Sequence, residues 1–385
     1  MILTRLTLHN FKNISEASLE FSPKVNCLLG NNGMGKSNLL DAVHYLSFCK
    51  SFTGVSDSML IRRGEEFAMA RADYLRCDVN EQLTLGLARG RRKSLKRGGK
   101  EYQRLSQHIG LFPLVMIAPQ DIDLVRGAGE ERRKWMDMVI SQSDARYLDA
   151  LIRYNRALEQ RNAMLREGIT DANLYLAMET AMDFSADYIH RCRQNWVERL
   201  TVLFDRYYTL IAGDDGEHPR LRLESSLNGH EGGLADLLNR ARHKDQILRH
   251  TTVGPHRDDI EMTLDEMPMK RVGSQGQCKT FTIALRLAQY DFLSETAATK
   301  PLLLLDDIFD KLDSQRVERI MSLVTSEDFG QIFVTDTNLA HIDEVIARVG
   351  GSDYRLWTVK DGTFIPSTDA LYAASDPDSV PDPSI

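Results

Sequence analysis

No stretch of the chain approaches the roughly eighteen consecutive apolar residues that a membrane-spanning helix needs, so no such helix is expected. The N-terminus, Met1-Ile2-Leu3-Thr4-Arg5, reads as the start of a strand and not as a secretory leader, and the expectation is a cytoplasmic protein. Cysteine is scarce: Cys27, Cys49, Cys77, Cys192 and Cys278 are scattered, odd in number and without paired spacing. That pattern indicates neither a disulfide framework nor a structural zinc site and fits buried reduced thiols. A strong charge of either sign is also missing. The formal net charge is −7, and the last twenty residues hold four Asp and no Lys or Arg, leaving the rest near −3. This mean hides local patches. What the chain does have is length and core: 385 residues, 42% of them hydrophobic, enough for two domains or one large α/β domain with an insertion.

The stretch Gly30-Asn31-Asn32-Gly33-Met34-Gly35-Lys36-Ser37 meets each demand of a phosphate-cradling loop. Val25 to Leu29 reads as a buried strand running into it, and Asn38 to Leu46 leaves it as a helix with an apolar stripe at Leu39, Val43 and Leu46. Glycines let the backbone curl until successive N–H groups face one anion, and the helix N-terminus adds its positive end. Lys36 is then expected on the β/γ-phosphates and the Ser37 hydroxyl on Mg²⁺, so the chain is read as binding a nucleoside triphosphate.

Around the loop, Leu3 to His9 and Ala17 to Phe21 alternate as strands of a hairpin turning at Lys12-Asn13. A short helix is expected between Gly54 and Arg63, then strands at Phe67 to Cys77 and Gln82 to Ala88. Arg89 to Lys100 holds seven basic residues in twelve, with a Gly98-Gly99 turn; a solvated hairpin and a contact to a nucleic-acid backbone through Arg91, Arg92, Lys93, Lys96 and Arg97 are both compatible with it. Leu114 to Ala118 is a buried strand. From Gly129 to Ile211 the chain is helical. Trp135, Met138, Leu148, Leu151, Tyr154 and Leu158 mark one apolar face, and Leu174, Met178, Ala181, Tyr188, Cys192, Trp196, Leu203, Tyr207 and Leu210 another, with Gly168 between two long antiparallel helices. Asp214-Asp215-Gly216 ends this arm; a strand at Leu221 to Leu227, a helix from Leu234 to Leu248, and a hairpin of Ile260 to Leu264 with Met267 to Lys270 follow.

Pro301-Leu302-Leu303-Leu304-Leu305-Asp306-Asp307 is an apolar strand that delivers two carboxylates at its carboxyl end. Opposite a glycine loop, Asp306 would hold the Mg²⁺ shell and Asp307 would orient or deprotonate an attacking water, making Lys36, Asp306 and Asp307 the candidate catalytic set. Because 270 residues separate Lys36 from Asp306, a large segment must be inserted between the two halves of the site. That insert ends at Ser274-Gln275-Gly276-Gln277, where Ser274 caps a helix and Gly276 permits close backbone approach, a second anion site. The loop already cradles one γ-phosphate, so this second site is expected to face the nucleotide of a partner subunit.

Thirty residues before Asp306, the Ser-x-Gly-Gln pattern resembles the signature motif of ABC-type ATPases. Asp310 to Asp313 sits where that superfamily has its D-loop, and Asp336 where it has a switch His. Leu6 to Asn13, Pro119 to Val125 with Arg132-Arg133, and above all Gly254-Pro255-His256-Arg257-Asp258-Asp259 resemble the RecF family, whose superfamily includes the structural-maintenance-of-chromosomes proteins; the likeness covers residues 1 to 365 and departs from it at Thr53, where Arg is common, and at Asp336. The resemblance implies an α/β ABC-type P-loop ATPase head with an inserted helical lobe: residues 1–118 and 299–365 as two halves of the ATPase lobe, 119–298 as the helical lobe with the signature, 366–385 as a disordered acidic tail. It implies ATP and Mg²⁺ as cofactors, with nucleotide contacts at Gly30, Asn31, Asn32, Gly33, Met34, Gly35, Lys36, Ser37, Gln120, Ser274, Gly276 and Gln277. It also implies an ATP-dependent homodimer with slow, DNA-stimulated hydrolysis, binding to single- and double-stranded DNA at junctions or gaps, and RecR, RecO and RecA as partners in loading recombinase. The rivals are a coiled-coil head, for which an arm of about eighty residues is short, a transporter ATPase, and a scaffold that holds ATP without turnover. His256-Arg257-Asp258-Asp259 could carry acid/base chemistry, but such runs more often fix a turn. No nuclease-type carboxylate cluster accompanies it, and no cutting of DNA is expected.

Overall fold

The computed structural model describes residues 1–213, 216–309, 312–340, 343, 347 and 354–367. At its centre a six-stranded sheet runs, edge to edge, Thr363–Pro366, Tyr354–Lys360, Val25–Leu29, Ile332–Asp336, Leu302–Asp306 and Leu114–Ile117. All but the first of these strands are mutually parallel. Parallel strands covered on both faces should be apolar throughout, and Leu302–Asp306 and Ile332–Asp336 are buried at every residue. Asn26 is the polar exception in the strand before the loop. It is fully buried because its side chain closes a two-bond ring with the Ser22 backbone, at 2.8 and 2.9 Å.

The second six-stranded sheet is antiparallel, in the order Ile14–Glu20, Ile2–Phe11, Phe67–Arg76, Val79–Ala88, Ser94–Arg97, Lys100–Glu101. Its inward residues, Leu3, Leu6, Leu8, Ala70, Ala72, Leu83 and Leu85, alternate with outward polar ones as a half-buried sheet demands. The helix Lys36–Phe48 lies between the two sheets and is buried from Leu39 to Phe48 without a break.

The inserted segment is where the expected boundaries shift. Three helices stand there, Gly129–Ser143, Ala145–Glu167 and Ala172–Ala212, in place of two. The extra break falls at Asp144, whose Oδ1 accepts from the N–H groups of Arg146 and Tyr147 at 2.8 and 3.1 Å; a carboxylate does this at a helix start and cannot do it mid-helix. Gly168 ends the second helix in the left-handed region, as its position suggested. The apolar face expected on the long third helix is partly wrong: Leu174 and Leu210 are 49% and 47% exposed, whereas Tyr175, Met182, Ala186, Ile189, Leu200 and Phe204 make the core with Trp196 and Tyr207. A three-stranded sheet of Pro219–Glu224, Asp259–Leu264 and Met267–Pro268 packs beside these helices. Met269 and Lys270, expected in its last strand, instead begin a short helix, Met269–Val272, because Met269 turns into the core. The short helix after Gly54 is a single turn, Asp57–Met59. Of the cysteines expected to be buried, Cys27, Cys49 and Cys278 are, Cys192 is half-buried, and Cys77 is exposed because it stands in the turn between Phe67–Arg76 and Val79–Ala88.

Asp214, Asp215, Asp310 and Lys311 lie outside the described residues, as does the tail from 368; Pro366 and Ser367, assigned to that tail, are structured, since Pro366 ends a strand and Ser367 N–H donates to Leu356 O at 2.9 Å.

The helices are pinned by Arg161, which is fully buried. Its guanidinium meets Asp245 at 2.8 Å, Glu179 at 3.1 Å and the Thr251 hydroxyl at 2.9 Å, linking three helices. Removing one member of a buried ion pair leaves the others uncompensated, so Arg161→Ala is expected to cost about 3–5 kcal/mol. The lower midpoint should be read directly by thermal denaturation; a variant melting with the wild type would contradict the account of this pin.

Candidate functional site

Register alone brings the site together. Leu29 pairs with Asp336 and Asp306 with Thr335, so three parallel strands end in line, and the loop, both acidic residues and the switch position gather at their carboxyl ends. The chain then turns sharply at each strand end. Gly33 and Gly35 stand at φ +80° and +119°, a region that other residues avoid, and a Cβ on Gly30 would sit 2.4 Å from Val359 O. The backbone angle calls for glycine at Gly33 and Gly35, and the close approach of Val359 O calls for it at Gly30.

A cleft of about 110 Å³ opens there, lined by Asn32, Gly33, Gly35, Lys36, Ser37, Asn38, Asp306 and Asp307. Lys36 is 5% exposed and its ammonium donates to Gly30 O and to Asn31 O, the latter at 3.1 Å. Burial pushes it below its ordinary pKa against the pull of Asp307, Asp306 and Asp336. Asp306 Oδ1 accepts from the Ser37 hydroxyl at 2.9 Å and the Thr335 hydroxyl at 2.7 Å. Burial raises this carboxyl's pKa, opposed by those two hydrogen bonds. Asp307 follows at φ +49°, its N–H donating to Thr335 O and Oγ1 at 3.2 and 3.1 Å. Among the described residues no cluster of three or more His, Cys, Asp or Glu could hold a metal. A hydroxyl and one aimed carboxylate fit a magnesium ion, which shares its shell with substrate phosphates and keeps water besides.

Asp336, in place of a His, is 3% exposed, and its Oδ1 accepts from Thr337 and Asn338 N–H at 2.6 and 2.8 Å. Its backbone carbonyl accepts from Gly30 N–H at 3.3 Å. The residue shapes the turn beside the loop.

The remaining expected contacts are not in this cleft. Gln120 is exposed and lines a larger cavity of about 820 Å³ with Lys50, Thr53 and Trp135. Ser274, exposed, caps the helix Gln275–Thr296: its Oγ accepts from Gln277 N–H at 3.1 Å, and Gln277 Oε1 accepts from Ser274 N–H at 2.8 Å. Gln277 Nε2 also donates to Glu217 at 2.6 Å. A Cβ on Gly276 would lie 3.0 Å from Arg316 Nη1.

The basic hairpin forms as expected, with Gly98 and Gly99 both at positive φ. Its five candidate residues divide. Arg91, Arg92 and Lys96 are exposed, whereas the Lys93 ammonium donates to Cys49 O at 2.6 Å and pairs with Asp57 at 3.2 Å, and Arg97 pairs with Glu81. In the run from Gly254, His256 Nε2 donates to Thr251 O at 3.0 Å and its Nδ1 accepts from Tyr154 at 2.7 Å, while burial pushes its pKa down to about 4. Asp258 pairs with Arg193 at 2.7 Å and Asp259 with Arg132 at 2.6 Å, so the run fixes a turn. Sequence reasoning missed Thr335 and the pair Asn13 and Asn38, whose side chains join at 2.8 Å beside the loop; only Asn38, next to Ser37, had a local signal.

Residues 2–352 match the family described as RecF/RecN/SMC N terminal domain. The DNA replication and repair protein RecF of Parabacteroides distasonis is 47% identical over 366 residues, covering 95% of this chain and 99% of its own length. That of Phocaeicola vulgatus is 48% identical, with 94% and 97% covered. Among solved structures, the recombination mediator protein RecF-ATP in the RecFOR pathway aligns at a TM-score of 0.85 and 28% identity, over 95% of this chain and 98% of that one. The Smc head domain of Pyrococcus furiosus shares the fold, at a TM-score of 0.56 and 17% identity, over 97% of both.

Proposed function

The chain belongs to the RecF family, and from that premise we propose that it is a DNA replication and repair protein of the RecFOR pathway whose ABC-type ATPase head uses ATP to clamp two copies of itself on DNA. One observation carries the nucleotide site: Ser37 Oγ donates to Asp306 Oδ1 at 2.9 Å across 269 residues of sequence, with Lys36 buried beside them. Loop N–H groups and Lys36 bind the β/γ-phosphates, Ser37 and Asp306 would hold Mg²⁺, and Asp307 orients the attacking water. When bound, the ion neutralises charge developing on the phosphate oxygens. Thr335 keeps Asp306 aimed at Ser37. Gln120 belongs to the lobe that meets the phosphates on closure, and Ser274 and Gly276 meet the γ-phosphate held by the facing subunit, with Gln277 fixing the helix start by its capping box. ATP then adds contacts only the assembled dimer makes, and slow, DNA-stimulated hydrolysis removes them. Binding at single-strand/double-strand junctions, and work with RecR and RecO to load RecA, complete the proposal; a scaffold that never hydrolyses ATP is the alternative, and the intact pair of acidic residues disfavours it.

Contact with DNA through phosphates predicts binding that weakens steeply with salt, because neutralised phosphates release counterions. Arg91→Glu, Arg92→Glu and Lys96→Glu together should flatten the slope of log K against log salt by about 3, roughly one per lost contact, without disturbing Lys93 and Arg97, which hold the hairpin to the body. Fluorescence anisotropy across a salt series reads this. An unchanged slope would mean the hairpin is only a solvated turn.

A further inference from the structure

A loop rich in glycine is costly to order, because glycine loses the most conformational freedom on ordering. Two hairpin turns, one from each six-stranded sheet, meet against this one. The first lies between Ile2–Phe11 and Ile14–Glu20. It presents Asn13, whose Oδ1 accepts from Asn38 Nδ2 at 2.8 Å and whose side chain lies 3.2 Å from where a Cβ on Gly35 would stand. The same turn is tied to the helix leaving the loop, since Lys12 pairs with the buried Asp41 at 2.6 Å. The second turn, Asp361-Gly362, lies between Tyr354–Lys360 and Thr363–Pro366. Gly362 N–H donates to Met34 O at 2.8 Å, and Asp361 N–H reaches the Met34 sulfur at 3.5 Å. The two turns also interlock: a Cβ on Gly362, at φ +76°, would sit 2.6 Å from Asn13 O.

We propose that Asn13 and Gly362 are positioning residues for nucleotide binding, interlocked across the two sheets so that the glycine loop is held in its phosphate-ready curve before ATP arrives. The proposal rests on the assignment of the loop as the ATP site. Its physical content is preorganisation: the ordering cost of the loop is met in folding and not on binding. The C-terminal hairpin, more than 300 residues away in sequence, is thereby part of the nucleotide site. Because both turns act on the shape of the loop and not on one phosphate, ATP and ADP should lose affinity together.

The test measures equilibrium binding of ATP and ADP to the full chain, with the thermal midpoint of each nucleotide-free variant recorded separately. Asn13→Ala removes an exposed side chain without backbone strain, and Gly362→Ala forces the turns apart. Gly110→Ala serves as the control, since it carries comparable strain, at φ +87° with its Cβ 2.2 Å from Gln142 O, at a place that touches neither turn. Both turn variants should lose about tenfold in affinity for both nucleotides, a change of ~1.4 kcal/mol, while Gly110→Ala binds as the wild type does whatever its midpoint. Unchanged affinity in Asn13→Ala and Gly362→Ala overturns the proposal, and so does an equal loss in Gly110→Ala, which would make the effect one of general stability. Failure of the wild type itself to bind ATP would instead bring down the assignment of the loop, a distinguishable result.

Discussion

Lys36→Ala is expected to lower ATP affinity on the order of a hundredfold. On the proposed assignment the side chain supplies charge-assisted hydrogen bonds to the phosphates, each worth about 1.5–3 kcal/mol, and it is the cation that lines the cleft from within the loop. It also donates to Gly30 O and Asn31 O across the loop's own curve, so truncation both removes a charge and loosens the cradle. The loss should therefore exceed that of Asn13→Ala, which touches only the cradle's outside. With no nucleotide held, ATP-dependent dimerisation should vanish as well. Titration with a fluorescent ATP analogue measures the first effect, and normal affinity would contradict the assignment of the loop.

Asp307→Asn should do something different. Asn keeps the size and the hydrogen-bonding reach but lacks the carboxylate that an attacking water needs, and general-base assistance is worth about 10²–10⁴-fold. Turnover should fall by at least about a hundredfold while ATP affinity stays. The adjacent Asp306 is the wrong residue for this experiment, because Ser37 and Thr335 both donate to it and its loss would disturb the loop helix and the neighbouring strand together. Asp307→Asn leaves both hydroxyls on Asp306, and the Asp307 N–H bond to the Thr335 hydroxyl, in place.

Much of this site was legible because its signals are local. Eight consecutive residues specify the loop, and an apolar strand ending in Asp306-Asp307 announces itself by hydropathy alone. The α/β head with its inserted helices followed from the same two motifs and the distance between them. The helical lobe was less legible. Leu174 and Leu210, 49% and 47% exposed on the long helix, imitate core, and Asp144 looked like one more polar residue until its role as a cap was visible. Contacts made across the fold left no trace in the pattern. Thr335 is an ordinary strand residue until the register sets it against Asp306, and Gly362 is an ordinary turn glycine until Asn13 is found against it. Charge was legible as a count but not as a surface, since Lys93 and Arg97 are committed to contacts with the body of the protein.

The clamp itself is tested by the mass of the particle in solution. Sedimentation velocity with ATP should find the wild type and Asp307→Asn as dimers, the latter persisting because the nucleotide is not consumed. Ser274→Arg, which sets a bulky side chain where the proposed clamp brings the facing subunit's phosphate and spares the loop of its own chain, should bind ATP and remain a monomer. A monomeric Asp307→Asn protein, or a Ser274→Arg protein that dimerises as the wild type does, would contradict the clamp.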